Sequence, residues 1–507
     1  MSVEIRDAGA SRRRHRGRAS PAQVDAAISG VGLSSAFQPI VALPDGAVVG
    51  FEALARWPES TGLGPEVVFA RAEALNRVDE LDRLCIDTAI TGALAQGLTR
   101  KSLLCINCEP SSTLVDHAQN EVLKRGRTEL QLMFELTERS LLAHPRALLE
   151  KVAALRADGF GIALDDVGAH PDSLALLDVI APDVVKLDMG LVQSQPDDAQ
   201  ARTLSAVLAH HERSGALILA EGIETDDHLE QALAVGATLG QGYKFGRPGA
   251  MSHHPLGAGW SLPTRPPGRG LASGSPFDLV RDRATIRTAR KQTLTAFSRH
   301  IESQARDATD PPILLTALQH ARHFTRRTRD AYRELAARSS MVAVYGANMP
   351  ADFGSGVRGI ALQPTDALAK EWTVLALGPH MAVALIAREH DGNDDTGPDE
   401  DRRFDFVITY DRAIVTAAAC NMLARVPSLG RLGLMGSRRL LLVAVAVVAA
   451  AQVLPLASID CVESLPTDDY GDGFRYLLHR LRASVTGLHD RRSSRRRTNR
   501  ADTQLLC

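Results

Sequence analysis

The chain has 507 residues, enough for two or three domains, because single hydrophobic cores stop growing at about 250–300 residues. Hydrophobic residues make up 45% and charged residues 23%, values typical of a soluble globular protein, which excludes wholesale disorder and a collagen-like fold. The 58 basic and 60 acidic residues give a net charge of −2, so nothing global attracts the chain to a nucleic acid polymer or an anionic membrane.

Residues 1–30 are predicted to form a disordered basic arm. They contain the run RRRHRGR and no apolar stretch of the kind found in secretory signals. Six cysteines in the whole chain are too few for a disulfide scaffold. We therefore expect a cytoplasmic protein.

Residues 31–249 alternate between apolar runs and stretches with helical periodicity. Continuous apolar strands separated by amphipathic helices indicate parallel strands that are covered on both faces. Six or more such units favour a closed (β/α)8 TIM-like barrel over an open sheet, and no strand is followed by a glycine-rich dinucleotide fingerprint. The apolar runs are AVVGFE, SLLCIN, LQLMFE, GIALDD, DVVKLD and ALILAE.

Acidic or amide side chains, and one lysine, stand where these predicted strands end: Glu52, Asn107, Glu135, Asp165, Asp166, Lys186, Asp188 and Glu221. Barrel active sites are built from the carboxyl ends of strands, so we expect these groups to converge on one mouth. So many carboxylates repel each other unless cations neutralise them, and oxygen-rich ligation suits Mg²⁺ or Mn²⁺. Two ions about 4 Å apart are a standard device for attack on a phosphodiester.

Lys186 is an unusual choice in this sequence, which contains seven lysines against 51 arginines. A compact ammonium pairs with carboxylates, and its pKa can shift towards neutrality, whereas a guanidinium stays charged. The sequence therefore predicts a catalytic lysine. The alternative is a lysine at a strand end that extends to solvent.

Together these motifs resemble the EAL family of cyclic-di-GMP phosphodiesterases. Residues 37–41 read FQPIV, and residues 51–57 read FEALARW, which contains the Glu-Ala-Leu triplet of the family name. INCEP, FELTE, LDDVG, VVKLD, LAEGIET and GQGYKFGRP then follow in the family's order. The resemblance implies hydrolysis of cyclic-di-GMP to the linear dinucleotide pGpG, with two Mg²⁺ or Mn²⁺ ions per site and a homodimer formed through the barrel.

The resemblance also implies a role for each matching residue. The metal ligands would be Glu52, Asn107, Glu135, Asp165, Asp166 and Glu221, with Asp165 and Asp166 on the second ion. Lys186 would orient or deprotonate the water between the ions, with Glu52 and Glu221 also catalytic. Gln38 and Arg56 would contact the substrate, and Gln241 would line the metal–water site. Glu138 and Glu224 would brace the loop that follows the fifth strand.

That loop departs from the family pattern. The family usually has Phe-Gly-Thr-Gly-Tyr-Ser after the paired aspartates, whereas residues 167–173 read VGAHPDS. The aromatic anchors are missing and a proline is present. In the family this loop helps to set the second metal, so weak or differently regulated activity is an open alternative.

Residues 250–275 are rich in Gly, Pro and Ser, as is typical of a linker. Residues 276–428 begin with stretches predicted to be helical, KQTLTAFSRHIESQARD and PPILLTALQHARHFTRRTRDAYRELAARS. Five β-type runs and a closing helix follow, which predicts an α+β module. This part resembles the DICT domain, a sensory module, although no ligand-binding residues can be assigned.

Residues 429–507 form a tail with a basic end. Within it, residues 440–459 carry no charge, and a segment of this length is just long enough to span a membrane. Gln452 and Pro455 favour instead a buried or poorly ordered apolar segment, and membrane contact stays open.

Three functions are compatible with the sequence. The first is a metal-dependent phosphodiesterase regulated by the C-terminal module. The second is a catalytically weak or inactive cyclic-di-GMP receptor, and the third is a signalling scaffold. The complete set of acidic residues together with Lys186 favours the first, because a scaffold does not require those side chains.

Overall fold

The computed structural model describes residues 19–427, apart from residues 44, 111, 113–118, 138–141, 170, 252–273 and 391–398. The described residues up to Asp352 and from Val357 onward form one compact unit, which contains both a barrel and a second, sheet-rich domain.

Eight strands close into a barrel in chain order, which confirms the predicted TIM-like fold. Strands two to seven include the six apolar runs of the sequence, and most of their residues are buried. The strands are β1 (Ser34–Ala42), β2 (Val48–Arg56), β3 (Leu103–Asn107), β4 (Gln131–Thr137), β5 (Gly161–Val167), β6 (Val184–Leu187), β7 (Leu217–Ala220) and β8 (Leu239–Gly240).

The first strand departs from the predicted all-parallel arrangement. β1 pairs antiparallel with β2 and with β8, whereas the successive pairs from β2 to β8 are parallel. The reason is the short connection between β1 and β2, since two strands joined by a hairpin must run in opposite directions. This register sets Gln38 opposite Glu52.

Helices surround the barrel, and the first of them corrects the predicted basic arm. Residues 21–28 form helix α1 and are not part of a disordered arm. Ser20 caps this helix, and Ala27 and Ile28 bury their side chains beside Trp57. The helices are α1 (Pro21–Ile28), α2 (Pro65–Leu75), α3 (Val78–Ala95), α4 (Glu121–Glu129), α5 (Pro145–Ala157), α6 (Leu177–Ile180), α7 (Met189–Val192), α8 (Asp198–Ser214) and α9 (Asp226–Ala234).

The second domain contains a seven-stranded mixed sheet in the order β12-β11-β10-β13-β14-β15-β9. Its strands are β9 (Arg287–Arg290), β10 (Ile313–His320), β11 (Met341–Ala347), β12 (Val357–Ala361), β13 (Glu371–Gly378), β14 (Met381–Glu389) and β15 (Arg403–Thr409). Its helices are α10 (Pro276–Val280), α11 (Lys291–Asp307), α12 (Arg326–Ala336) and α13 (Arg412–Leu423). The predicted α+β module is therefore present.

One predicted helix is wrong. The sequence predicts a helix in the run from residue 311 to 339, but the first half of that run is strand β10 and only its second half is helix α12. Ile313, Leu314 and Leu315 are fully buried between β11 and β13. A short continuous apolar run fits a central strand as well as a buried helix, and the two neighbouring strands decide between them.

The predicted linker and tail are almost wholly outside the described residues, as is the apolar segment 440–459. Among the residues that the structure does describe, no helix combines the length and the apolar character that crossing a membrane requires.

Candidate metal centre at the mouth of the barrel

The carboxyl ends of the strands bring most of the predicted site residues together. Glu52, Glu135, Asp165 and Lys186 are buried, with at most 8% of each residue exposed. Asn107, the last residue of β3, donates from Nδ2 to Oε1 of Glu52 over 3.1 Å. Because these residues belong to neighbouring strands of one barrel, their convergence follows directly from strand order.

Lys186 lies at the centre of this ring. Its Nζ is 2.8 Å from a carboxylate oxygen of Asp165, 2.9 Å from Glu221, 3.1 Å from Glu135 and 3.7 Å from Glu52. Burial alone lowers the pKa of Lys186, but the surrounding carboxylates outweigh it and raise that pKa well above its ordinary value. The shift towards neutrality expected from the sequence is therefore reversed, and the ring stabilises the ammonium form.

One ammonium does not balance four carboxylates. Burial, reinforced by the charge of Glu52, raises the pKa of Glu135 well above its ordinary value. Burial also raises the pKa of Glu221 to about 8, with Asp165 and Glu52 adding to the shift. Among the described residues, Oε1 of Glu135 finds no hydrogen-bond donor. A buried carboxylate oxygen without a donor is costly, which is the condition that a bound cation relieves.

The residues present fit divalent metal ions. Ligand oxygens of Asp165, Asp166 and Glu221 lie within 4.8 Å of one another, and carboxylate oxygens are the ligands that Mg²⁺ and Mn²⁺ prefer. Asp166 has a positive φ of 57°, in the left-handed region that non-glycine residues rarely adopt, and the pairing of β5 with β6 shifts register between Leu164 and Val167. This bulge places two consecutive aspartates at one edge of the barrel.

Two glutamines extend the site towards β1 and β8. Nε2 of Gln241 donates to Oε2 of Glu52 over 2.7 Å and lies 3.0 Å from Oε1 of Gln38. Gln38 in turn donates to the backbone oxygen of Gly246. Within the described part of the chain, the buried Oε1 of Gln241 accepts no hydrogen bond, so it is free to accept one from a ligand or a water at the mouth.

Four other predicted residues lie apart from this ring or outside the described residues. Arg56 is half-buried at the end of β2 and donates to the backbone oxygen of Ala55. Asp188 caps α7 by accepting from the backbone N–H of Gly190. Glu224 is exposed, and its backbone N–H donates to His228. Glu138 falls among the undescribed residues, so the bracing role of Glu138 and Glu224 stays a prediction.

A buried network behind Asn107 was not predicted from the sequence. Lys151 of α5 donates to Ser112 over 2.6 Å and also contacts the backbone oxygen of Glu109, while Asp82 of α3 accepts from the backbone N–H of Glu109. Both charged side chains are at most 5% exposed. They hold the segment that directly follows Asn107. The scarcity of lysine was the one available signal, since Lys151 is another of only seven.

Comparison with known proteins assigns both domains. Residues 22–248 match the family described as the EAL domain, and residues 280–390 match the family described as a sensory domain in diguanylate cyclases and two-component systems, DICT. RocR of Pseudomonas aeruginosa, a cyclic di-GMP phosphodiesterase, is 33% identical over 234 residues, which cover 43% of this chain and 57% of RocR. PdeG of Escherichia coli, a probable cyclic di-GMP phosphodiesterase, is 30% identical over 42% of this chain and 44% of PdeG.

Solved structures with a similar barrel include BlrP1 of Klebsiella pneumoniae with calcium and cyclic-di-GMP. It is 29% identical, with a TM-score of 0.38, over 43% of this chain and 56% of that one. The PaMucR phosphodiesterase in complex with c-di-GMP is 27% identical over 43% of this chain and 97% of that one, with a TM-score of 0.37. The chain thus spans little more than half of RocR and less than half of PdeG.

The fold and the mouth define a barrel protein with a carboxylate-rich centre suited to divalent metals. More particularly, residues 22–248 belong to the EAL family, and a DICT domain follows them. Relatives named as cyclic-di-GMP phosphodiesterases support cyclic-di-GMP hydrolysis at the level of the family.

Proposed function

We propose that this chain hydrolyses cyclic-di-GMP to pGpG, using two divalent metal ions, Mg²⁺ or Mn²⁺, and that the DICT domain regulates the reaction. The observation that carries the proposal is the buried carboxylate ring around Lys186, with the ligand oxygens of Asp165, Asp166 and Glu221 gathered within 4.8 Å. Its excess negative charge fits a centre that two cations complete before it accepts an anionic phosphodiester.

In this proposal Glu52, Asn107, Glu135 and Asp165 would hold one ion. Asp165 and Asp166 would hold the other, and Glu221 would complete the metal shell. When bound, the ions supply positive charge to the scissile phosphate and acidify the attacking water.

Lys186 orients or deprotonates the attacking water, since its Nζ lies within 3.1 Å of carboxylate oxygens of Asp165, Glu135 and Glu221, which are three of the proposed metal ligands. Gln241 accepts a hydrogen bond at the mouth through its Oε1, while its Nε2 fixes Glu52. Gln38 contacts the dinucleotide, and Arg56 contacts one of its phosphates. The homodimer through the barrel and the cytoplasmic location stay predictions from the sequence.

Chromatography of the purified full chain incubated with cyclic-di-GMP and Mg²⁺ or Mn²⁺ tests the proposal, beside a sample containing chelator. We expect pGpG in the presence of metal and unchanged substrate with chelator. Unchanged substrate in the presence of metal would contradict the proposal, and equilibrium binding of the intact ligand would then identify a receptor.

A further inference from the structure

Residues 280–390 of the second domain match the DICT family, and the name DICT domain is extended to its helix α13. This domain packs directly on the chain segment that begins at the paired aspartates. After β5 the chain passes through a 3₁₀ turn, Pro171–Leu176, into α6. Helix α13 packs against α6 and α5, and strand β13 contacts the 3₁₀ turn. Val179 and Ile180 of α6 share one continuous apolar cluster with Ile414 and Val415 of α13. The segment is therefore a layer between the metal centre and the DICT sheet.

A partly buried ionic contact fixes this packing. Arg412, the first residue of α13, donates from Nη1 to Oδ2 of Asp178 in α6 and, over 2.9 Å, to the backbone oxygen of Gly378 at the end of β13. The same carboxylate is contacted from the barrel side by His210 at 3.2 Å and by Arg213 at 3.7 Å, both from α8. Asp178 thus joins the barrel wall, the DICT helix and the DICT sheet.

At the start of this segment, next to the metal centre, the backbone adopts conformations that most residues avoid. Asp166 has a left-handed backbone, and Gly168 has a φ of 110°, where a Cβ atom would collide with the side chain of Leu191. A non-glycine residue in the left-handed conformation persists only where the surrounding structure holds it. Only a few residues separate Asp166 from the turn that the DICT domain covers, so the packing of that turn bears directly on the aspartate.

We propose that the DICT domain positions Asp165 and Asp166, the proposed ligand pair of the second metal ion. Arg412 holds α6 through Asp178, and α6 with its preceding turn holds Asp166 in the bulge. This inference rests on the proposed function in taking Asp165 and Asp166 as metal ligands. Arg412 is a positioning residue, because it acts through Asp178 and touches no substrate. A change in the DICT sheet reaches the centre through the Gly378–Arg412–Asp178 contacts.

Mn²⁺ binding to the full chain, measured by electron paramagnetic resonance without substrate, tests this positioning. In Arg412→Gln we expect one of two Mn²⁺ sites to weaken by about tenfold, within the usual range of coupling between sites. The matched control is Arg213→Gln, which removes a charge from the same carboxylate without touching the DICT domain, and it is expected to bind Mn²⁺ as the unmodified chain does. Arg412→Lys, which keeps the charge, is expected to restore most of the affinity.

Deuterium uptake by peptides spanning residues 165–180 gives a second measurement, expected to rise in Arg412→Gln and not in Arg213→Gln. If Arg412→Gln fails to fold, as judged by circular dichroism, Asp178→Asn breaks the same contact from the barrel side and must weaken the same site. Equal Mn²⁺ affinity in the Arg412 and Arg213 variants would overturn the proposal. An unmodified chain that binds two Mn²⁺ ions but forms no pGpG would contradict the proposed hydrolysis, while the comparison of variants would still decide the positioning.

Discussion

The barrel mouth and the DICT sheet each bury a glutamate completely, and they treat it in opposite ways. In the sheet, Glu371 accepts from the backbone N–H of Phe277 at 3.1 Å and from Arg388 at 3.0 Å. At the mouth, Glu135 shares a single ammonium with three other carboxylates. A buried carboxylate that is paired with a cation and accepts from further donors serves the fold, whereas an acidic cluster left short of positive charge is prepared for a ligand from solution.

The largest expected effect comes from removing a carboxylate at the mouth. Glu52→Ala should abolish formation of pGpG, because it deletes a proposed metal ligand and the acceptor for Asn107 and Gln241. Product chromatography measures this directly. Glu129→Ala, in an exposed pair with Arg125, is the matched control and should leave turnover unchanged. Normal hydrolysis by Glu52→Ala would refute the metal assignment.

Lys186→Arg keeps the charge but changes its shape. We expect kcat to fall by about 10²–10⁴, because a planar guanidinium does not fit a side-chain site that is 1% exposed and fitted to a compact ammonium. Single-turnover kinetics measure the rate of the chemical step. Lys124→Arg, on an exposed face of α4, provides the control. Full activity in the Lys186→Arg variant would show that charge alone suffices.

Arg388→Met tests whether the buried Glu371 of the DICT sheet depends on its cation for the stability of the fold. It leaves the carboxylate of Glu371 buried without a cation, and breaking a buried pair in this way costs about 3–5 kcal/mol. Urea unfolding followed by circular dichroism should show the loss of stability of the DICT domain. Arg388 also pairs with Asp278, which has a second and more exposed partner in Arg281. Arg281→Met leaves the partners of Glu371 in place and should cost much less. Equal losses in the two variants would mean that burial of Glu371 is not what matters.

Lys151→Met probes the network behind Asn107. Since Lys151 holds the backbone at Glu109 and the hydroxyl of Ser112, we expect the Mn²⁺ concentration for half-maximal activity to rise about tenfold. The KM for cyclic-di-GMP should stay constant, and an unchanged circular dichroism spectrum should exclude a general loss of fold. Lys124→Met is the control. A change in the substrate KM alone would argue against a role in metal binding.

The smallest expected effect is a loss of stability at acid pH. Although burial raises it, hydrogen bonds and charge from His210 and Arg412 hold the pKa of Asp178 below its ordinary 3.8. Its contribution to stability is therefore complete above about pH 4 and is lost as the pH falls through the lowered pKa. Urea unfolding should show the unmodified chain more stable than Asp178→Asn at pH 7, and this difference should become smaller near pH 3. Asp330→Asn, which is exposed, should show little difference at either pH.

The barrel and its ring of acidic residues were predictable because both signals are local. Each strand is a short apolar run that ends in a polar side chain, and barrel geometry brings such ends together without further information. Glu52, Asn107, Glu135, Asp165 and Lys186 were found in this way. The direction of the pKa shift of Lys186 could not be predicted in this way, because it depends on how many carboxylates surround the ammonium in the folded chain.

Three of the features that the sequence did not reveal share one cause, which is contact between residues distant in the sequence. The apolar run of strand β10 is compatible with a helix when the sequence is taken alone. Its strand conformation depends on pairing with β11 and β13. The network of Asp82, Ser112 and Lys151 joins two helices and a loop, and no single segment reveals it. Arg412 and Asp178 are separated by 234 positions, so no local pattern could link the DICT domain to the barrel.

The pairing of the first strand with the last segment of the barrel has a consequence for synthesis. Phe37 and Gly249 exchange two backbone hydrogen bonds, and Gln38 meets Gln241 beside Glu52. A ribosome releases the first of these partners some two hundred residues before the second. Glu52 therefore receives its hydrogen bond from Gln241 only after Gln241 has been synthesised, so the centre is completed late in the synthesis of the barrel.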